Sequence, residues 1–230
     1  MNDTTVVVTG ASSGIGAAVA RAFGRAGANV VICARDGDAL QSVVDDIESA
    51  AGSATAIRAD VRDEFDMERL METAARAGKP IDVLVANAGV NHGSPGEMPM
   101  ADESYAAFDD TLRTNVRGVF NAVREALPHM TADARILVPS GSIARDAKPG
   151  MGAYAVSKSA VEGLVRQFAV DCDQTIGVID PGVVATAITG GQGRDPDDVA
   201  QLFVWAATDA DSAELDGNVV GLSAWKRATR

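Results

Sequence analysis

Residues 5–26 constrain the fold more than any other stretch of the chain. Thr5-Val-Val-Val-Thr9 is a short β-branched apolar run and reads as a buried parallel strand. Gly10-Ala-Ser-Ser-Gly14-Ile-Gly16 follows, and an Ala-rich amphipathic segment continues to about Ala26. In this order of strand, glycine turn and helix, the glycines let the backbone turn sharply and approach a ligand closely. The free amides at the helix start then face a pyrophosphate. The spacing is Gly-x-x-x-Gly-x-Gly, not the more familiar Gly-x-Gly-x-x-Gly. A glycine turn alone can be purely structural; its position directly after the first strand favours nucleotide binding.

The second strand is expected at Asn29–Ala34. In a dinucleotide fold its C-terminal end is where an acidic residue holds the adenosine ribose hydroxyls of NAD. Here the strand ends Cys33-Ala34-Arg35, and Asp36 follows as a competitor. A guanidinium matches a 2′-phosphate bidentately whereas a carboxylate repels it, so Arg35 points to NADP(H), with NAD(H) the alternative.

The same alternation continues along the chain. A helix is expected over Gly37 to about Ala50, with Leu40, Val43, Val44 and Ile47 at helical spacing, and a strand over Ala54–Ala59 running into Asp60-Val61. Asp63 can cap a helix reaching about Ala77, and Ile81–Ala86 is the fourth strand. It enters Asn87-Ala88-Gly89, where small residues admit a close backbone or cofactor. The loop from Val90 to Met100 lies where substrate loops lie in open parallel sheets. Asp102 to Leu127 reads as one long helical segment without proline, with Asn115 inside it. Strands at Arg135–Pro139, Thr175–Ile179 and Asn218–Leu222 and helices from about Met151 to Asp171 and from Asp195-Pro196 complete the pattern. The expectation is an α/β fold, one doubly wound parallel sheet forming a single domain over 1–230.

Composition narrows the partners. The formal charge of −12 argues against nucleic acid and anionic membrane, both of which carry phosphate. Asp outnumbers Glu, and lysine occurs only at positions 79, 148, 158 and 226. An ordinary acidic protein and an adaptation to high salt both fit that bias. Cys33 and Cys172 lie in apolar stretches and read as core residues, and His92 and His129 stand alone, so no metal site is expected. No apolar run of about 18 or more residues occurs, and the N-terminus has no basic segment followed by an apolar one. A soluble cytoplasmic protein is the resulting expectation.

The chemistry concentrates between Ser142 and Lys158. Tyr154 and Lys158 are four residues apart, which on a helix places both on one face. A free phenol, with a pKa of about 10, is a poor acid or base at neutral pH. A nearby ammonium favours the phenolate and brings it toward the useful range. Pro149 and Gly150 suit a turn into that helix. The pair is informative only together with the dinucleotide turn.

Taken in order, Thr9-Gly10-Ala-Ser-Ser-Gly14-Ile-Gly16, Asp60, Asn87-Ala88-Gly89, Asn115, Ser142, Tyr154-x-x-x-Lys158 and Pro181-Gly182-x-x-x-Thr186 resemble the classical short-chain dehydrogenase/reductase family over essentially the whole chain. The resemblance implies a seven-stranded Rossmann sheet flanked by helices on both faces, and nicotinamide-dependent hydride transfer on a carbonyl or alcohol. It implies that Gly10, Ser12, Ser13, Gly14, Ile15 and Gly16 form the phosphate turn, and that Arg35 selects NADP. Asp60 and Val61 bound the adenine, while Asn87, with Ala88 and Gly89, supports the adenosine side. Tyr154 exchanges the proton, Lys158 holds the nicotinamide ribose and lowers the Tyr154 pKa, and Ser142 orients the carbonyl. Asn115 holds a water on the proton path. Pro181, Gly182, Val183 and Thr186 border the carboxamide. A homodimer or homotetramer paired through the helices of Asn115 and Tyr154 is also implied.

The sequence departs from the family pattern in four places. Ser13 stands where a basic residue is usual. Pro139 sits in a central strand. Ser142 precedes Tyr154 by twelve residues (154 − 142), one fewer than the commonest spacing, which instead lands on Gly141 and leaves Ser140 as a rival serine. The connection from Thr186 to Pro196 is short and Gly-rich where relatives carry a lid, which predicts an open or mobile pocket and a broad or bulky substrate range. A non-catalytic NADP-binding regulator is the alternative from another class, and an intact Ser-Tyr-Lys-Asn set argues against it. A sugar-nucleotide epimerase of the extended family would need a longer C-terminal substrate region.

Overall fold

The computed structural model describes residues 1–76 and 79–229. Among these, seven strands build one parallel sheet: β1 (Thr5–Thr9), β2 (Asn29–Ala34), β3 (Ser53–Arg58), β4 (Ile81–Val85), β5 (Met130–Pro139), β6 (Thr175–Asp180) and β7 (Val219–Gly221). Their spatial order is β3-β2-β1-β4-β5-β6-β7. The direction of winding reverses between β1 and β4, and a crevice opens there at the carboxyl ends of the strands.

Helices α1 (Gly14–Arg25), α2 (Gly37–Ser49), α3 (Glu64–Ala75), α4 (Tyr105–Leu112), α5 (Gly118–Ala126), α6 (Gly152–Asp171), α7 (Pro196–Thr208), α8 (Ser212–Leu215) and α9 (Leu222–Ala228) flank the sheet. The two-residue alternation of each strand sends its side chains to opposite faces. Val6, Val8, Val30 and Ile32 pack with Phe23 of α1, Leu40 of α2 and Phe203 of α7. Val7, Val31 and Cys33 pack with Leu70 of α3, Val123 of α5 and Val165 of α6 on the other face. Both faces are covered, so β1 and β2 need continuous apolar runs.

Three expectations require correction. The segment from Asp102 to Leu127 is not one regular helix. It opens with a 3-10 turn at Met100–Asp102, and α4 starts at Tyr105 because Ser104 Oγ accepts the Ala107 N–H at 3.1 Å. A π-helical turn over Arg113–Arg117, with Asn115 at its centre, then separates α4 from α5. Strand β5 begins at Met130, five residues early, and its register with β4 shifts between Ile81 and Val83. The exposed Thr131-Ala132-Asp133 stretch bulges there, which an apolar pattern cannot reveal. Cys172 is not a core residue; it caps the end of α6 half-buried, while Cys33 is fully buried and both thiols are free. The expected end of the third helix at Ala77 lies outside the described residues.

Pro139 causes no disruption in the central strand. The Ser140 N–H donates to Ile179 O at 2.9 Å, so position 140 faces β6 and Pro139 faces the β4 side. On that side the last ladder bond is the Ala86 N–H donating to Leu137 O at 3.0 Å, so the missing N–H falls where the β4–β5 pairing ends. The Pro139 carbonyl is left free for a side chain of α6.

Candidate active site

The glycine turn is shaped by contact with Asn87-Ala88. Gly10 has φ of +66°, and a Cβ there would lie 2.6 Å from the Ala88 Cα. Thr9 Oγ1 accepts the N–H groups of Asn87 and Ala88, both at 3.1 Å. Asn87 Nδ2 donates to Thr9 O at 3.0 Å and to Gly10 O at 3.2 Å. Thus Asn87 and Thr9 stitch the ends of β1 and β4 together. At the start of α1, Ser13 makes no side-chain capping bond and the first turn has no acidic residue. Its amides remain open to an anion, the arrangement that suits a pyrophosphate.

A cleft of about 640 Å³ runs along this edge. Gly10, Ser12, Ser13, Gly14, Ile15, Arg35, Asp60, Val61, Asn87, Ala88 and Gly89 line one end, and Ser142, Tyr154, Lys158, Pro181, Gly182, Val183 and Thr186 line the other. Two expected residues do not line it. Gly16 sits beneath the turn, where a Cβ would collide with Gly10 O. Asn115 is 1% exposed and lies behind the wall. Its Oδ1 accepts the Val90 N–H at 2.7 Å, and its Nδ2 donates to Val90 O at 2.9 Å and to Ser157 Oγ at 2.9 Å. The Asn115 side chain is therefore fully engaged in fixing the loop after β4 against α6.

At the end of the cleft near the glycine turn the two residues after β2 separate in role. Asp36 is the N-cap of α2, its Oδ1 accepting the Ala39 N–H at 3.0 Å, whereas Arg35 is exposed at the cleft. The register pairs Ala34 with Arg58, and Arg58 Nε donates to Arg35 O at 3.0 Å. A second guanidinium thus stands beside Arg35, invisible in sequence because it comes from the next strand. Asp60 is clamped by Arg62: Nε lies 3.0 Å from both carboxylate oxygens and Nη2 2.6 Å from Oδ2. Burial pushes the Asp60 carboxyl up, but the Arg62 hydrogen bonds and charge outweigh it and hold it below the usual range. Arg62 Nη1 also donates to Asp110 Oδ1 at 2.6 Å, and Asp110 Oδ2 pairs with His92 Nε2 at 2.9 Å.

At the other end α6 carries Tyr154 and Lys158 on one face. Lys158 Nζ donates to Pro139 O at 2.9 Å and stands 5.7 Å from the centroid of the Tyr154 ring. Burial pushes the Tyr154 phenol up to about 12. Burial also lowers the Lys158 ammonium to about 8, against the charge of Glu162, which raises it. The expected drop in the phenol is not found, because desolvation dominates. The serines divide: Ser140 Oγ is buried and donates to Glu162 Oε1 at 2.9 Å, while Ser142 is exposed on the 3-10 turn Ser142–Ala144.

Thr114 is a lining residue that sequence reading missed, whereas Lys148, Met151 and the lining residues after Thr186 fall in the segments 143–152 and 187–195, which sequence reading expects to shape the pocket. Thr114, next to Asn115 on the π turn, lines the cleft with its buried Oγ1 unpaired. Lys148 and Met151 reach in before α6. The short segment after Thr186 also reaches in, through Ala187, Ile188, Thr189 and Gln192. It is folded back on itself: the Arg194 N–H donates to Val183 O at 2.9 Å and the Ala185 N–H to Arg194 O at 2.8 Å.

Residues 4–197 match the profile of a family described as short chain dehydrogenase. The chain belongs to the short-chain dehydrogenase family. It is 38% identical over 186 residues to the short chain dehydrogenase/reductase AacuN of Aspergillus aculeatus, covering 78% of this chain and 69% of that one. Its fold resembles a short chain dehydrogenase from Burkholderia cenocepacia in complex with NADP, with a TM-score of 0.85, 28% identity and 97% of both chains covered. It equally resembles a 7α-hydroxysteroid dehydrogenase complexed with NADH and 7-oxo glycochenodeoxycholic acid, with a TM-score of 0.84, 28% identity and 97% and 94% covered. Like other short-chain dehydrogenases, the chain is an oxidoreductase built on a Rossmann-type sheet. Among the described residues no helix is long and apolar enough to cross a membrane.

Proposed function

We propose that this short-chain dehydrogenase transfers hydride between NADP(H) and a carbonyl or secondary alcohol. Supporting this reading is one cleft that carries the glycine turn and Arg35 at one end and Tyr154, Lys158 and Ser142 at the other. The residues fit a dinucleotide: uncapped amides open α1, backbone crowding keeps Gly10 free of a Cβ, and Arg35 supplies a cation where a 2′-phosphate would sit.

When bound, the nicotinamide supplies the hydride and takes it back in the reverse direction. The chain supplies position and a proton. Gly10 to Gly16 would hold the pyrophosphate, Asp60 and Val61 the adenine, and Pro181, Gly182, Val183 and Thr186 the carboxamide edge. In reduction, Tyr154 Oη passes its proton to the carbonyl oxygen as hydride reaches the carbonyl carbon, which balances charge at the alkoxide. Its high pKa keeps that proton in place at neutral pH. The Lys158 ammonium stabilises the tyrosinate left behind. The exposed position of Ser142 on the cleft favours it over Ser140 as the carbonyl's hydrogen-bond donor, since the Ser140 hydroxyl is engaged with Glu162. Asn115 acts by fixing Val90 and Ser157.

The reading extends to a single domain over the chain, a soluble cytoplasmic protein, and a homodimer or homotetramer paired through α4, α5 and α6. A panel of carbonyls and alcohols assayed by NADPH absorbance tests it. Tyr154→Phe is expected to keep NADPH binding and lose about 100-fold or more in kcat. Turnover near that of the unaltered chain on its best substrate would overturn the mechanism and leave the non-catalytic regulator as the better account.

A further inference from the structure

Glu162 lies one helical turn beyond Lys158 on α6 and is 3% exposed. A carboxylate in that position is costly unless donors and positive charge surround it. Ser140 Oγ donates to Glu162 Oε1 at 2.9 Å, and Arg145 Nη1 donates to the same oxygen at 3.2 Å. The other arm of Arg145 pairs with Asp180 Oδ2. Asp180 Oδ1 accepts the Gly182 N–H at 3.0 Å and so shapes the Pro181-Gly182 turn. Ser159 Oγ donates to Ala144 O at 2.7 Å, a second tie between α6 and the turn that carries Ser142. Charges alternate along the path from Asp180 through Arg145 and Glu162 to Lys158. Three walls of the catalytic end therefore meet on one buried carboxylate.

We propose that Glu162 is the internal counter-charge of Lys158, a positioning residue that keeps the ammonium charged beside Tyr154, with Ser140 and Arg145 fixing its carboxylate. The assignment rests on the reading of Tyr154 and Lys158 as the proton-transfer pair. Lys158 is desolvated and has one hydrogen-bond acceptor, the Pro139 carbonyl at 2.9 Å. A carbonyl oxygen carries no net charge, so burial alone drives this amine toward its neutral form. The groups beside it are Tyr154 and Glu162 on its own helix, and Glu162 is in turn paired with Arg145 on the turn after β5, which also holds Asp180 at the end of β6. Glu162 favours the ammonium, and Arg145 opposes it by compensating the Glu162 charge. Burial lowers the Lys158 pKa to about 8 even with Glu162 in place, so little margin remains at neutral pH.

The chain has four lysines, at 79, 148, 158 and 226, so protein labelled with 13C at lysine Cε yields a readable NMR titration. Lys158→Gln assigns the signal. Glu162→Gln is expected to lower the Lys158 midpoint by about one unit, tenfold in the protonation equilibrium. Arg145→Gln is expected to raise it, since it removes a like charge and leaves Glu162 less compensated. An unmoved midpoint in a folded Glu162→Gln protein overturns the proposal. If that variant fails to fold, Arg145→Gln decides alone, and a midpoint unmoved or lowered is the overturning result. These titrations need no turnover, so they stand apart from the Tyr154→Phe assay. In an active enzyme, the alkaline limb of kcat/KM should also move to lower pH in Glu162→Gln, which loss of packing alone would not produce.

Discussion

Lys158 and Tyr154 are displaced from their ordinary ionisation in ways that suit different halves of the task. The phenol, raised to about 12 by burial, stays a proton donor at neutral pH. The ammonium, lowered to about 8, is charged below that pH and neutral above it. On the proposed reading the charged form donates hydrogen bonds to the nicotinamide ribose. NADPH affinity is then expected to hold up to about pH 7.5 and to fall as pH rises through about 8. Fluorescence titration from pH 6.5 to about 9.5 checks it, and flat affinity counts against the ribose contact. Arg35 offers a second test at this scale. With Asp36 capping α2, Arg35 is the first free charge after β2. Arg35→Asp is expected to shift the kcat/KM ratio from NADPH toward NADH by about tenfold or more, the effect of losing one charge-assisted contact. An unchanged ratio would reassign selectivity to Arg58 or elsewhere. Arg35 was legible from its place after an apolar run. Arg58 was not, since only the β2–β3 register brings it there.

Helix α6 depends on elements distant in sequence. Met151 at its N-cap makes no side-chain bond. Instead Glu103 Oε2, from the segment before α4, accepts the Ala153 N–H at 3.0 Å. The turn before the helix is also fastened to the loop after β4, since Gly150 O accepts the N–H groups of Gly96 at 2.9 Å and Met98 at 3.1 Å. Glu103→Ala should cost about 1 kcal/mol, as loss of a helix cap does, read as a lower urea midpoint at unchanged slope. Because the first turn of α6 carries Tyr154, kcat should fall more than NADPH affinity. A variant as stable as the parent would show the cap to be dispensable. Helix periodicity predicted α6 well, but neither its borrowed cap nor the π turn at Asn115 has a signature in the letters. Asn115 is unfavourable in a regular helix; here it replaces backbone partners for Val90 across the gap to the loop.

At the scale of the whole molecule, α4, α5 and α6 leave an apolar face toward solvent. Tyr105 is 93% exposed and Val170 75%, with Phe120 and Val156 also exposed. Phe120 packs on Phe168 with ring centroids 6.1 Å apart, joining α5 to α6. Burying such a face is favourable at roughly 25 cal/mol per Å². Sedimentation at micromolar concentration is expected to give the mass of two or four chains. A 23.6 kDa species alone would reject the pairing of these helices.

The sequence by itself determined the layer order and the chemistry of the ends. Val6 to Val8 and Val30 to Ile32 must be buried on both faces, glycines must turn after the first strand, and Tyr154 and Lys158 must share a helix face, because these follow from periods of two and 3.6 residues and from local backbone freedom. Tertiary structure alone decided what stands next to what: Asp36 folded into a cap, Arg58 brought to Arg35, Pro139 placed past the end of β4, and Ser140 held by Glu162. Those relations depend on strand register and on which backbone groups remain unpaired once the sheet has closed, and neither quantity is local to any stretch of the chain.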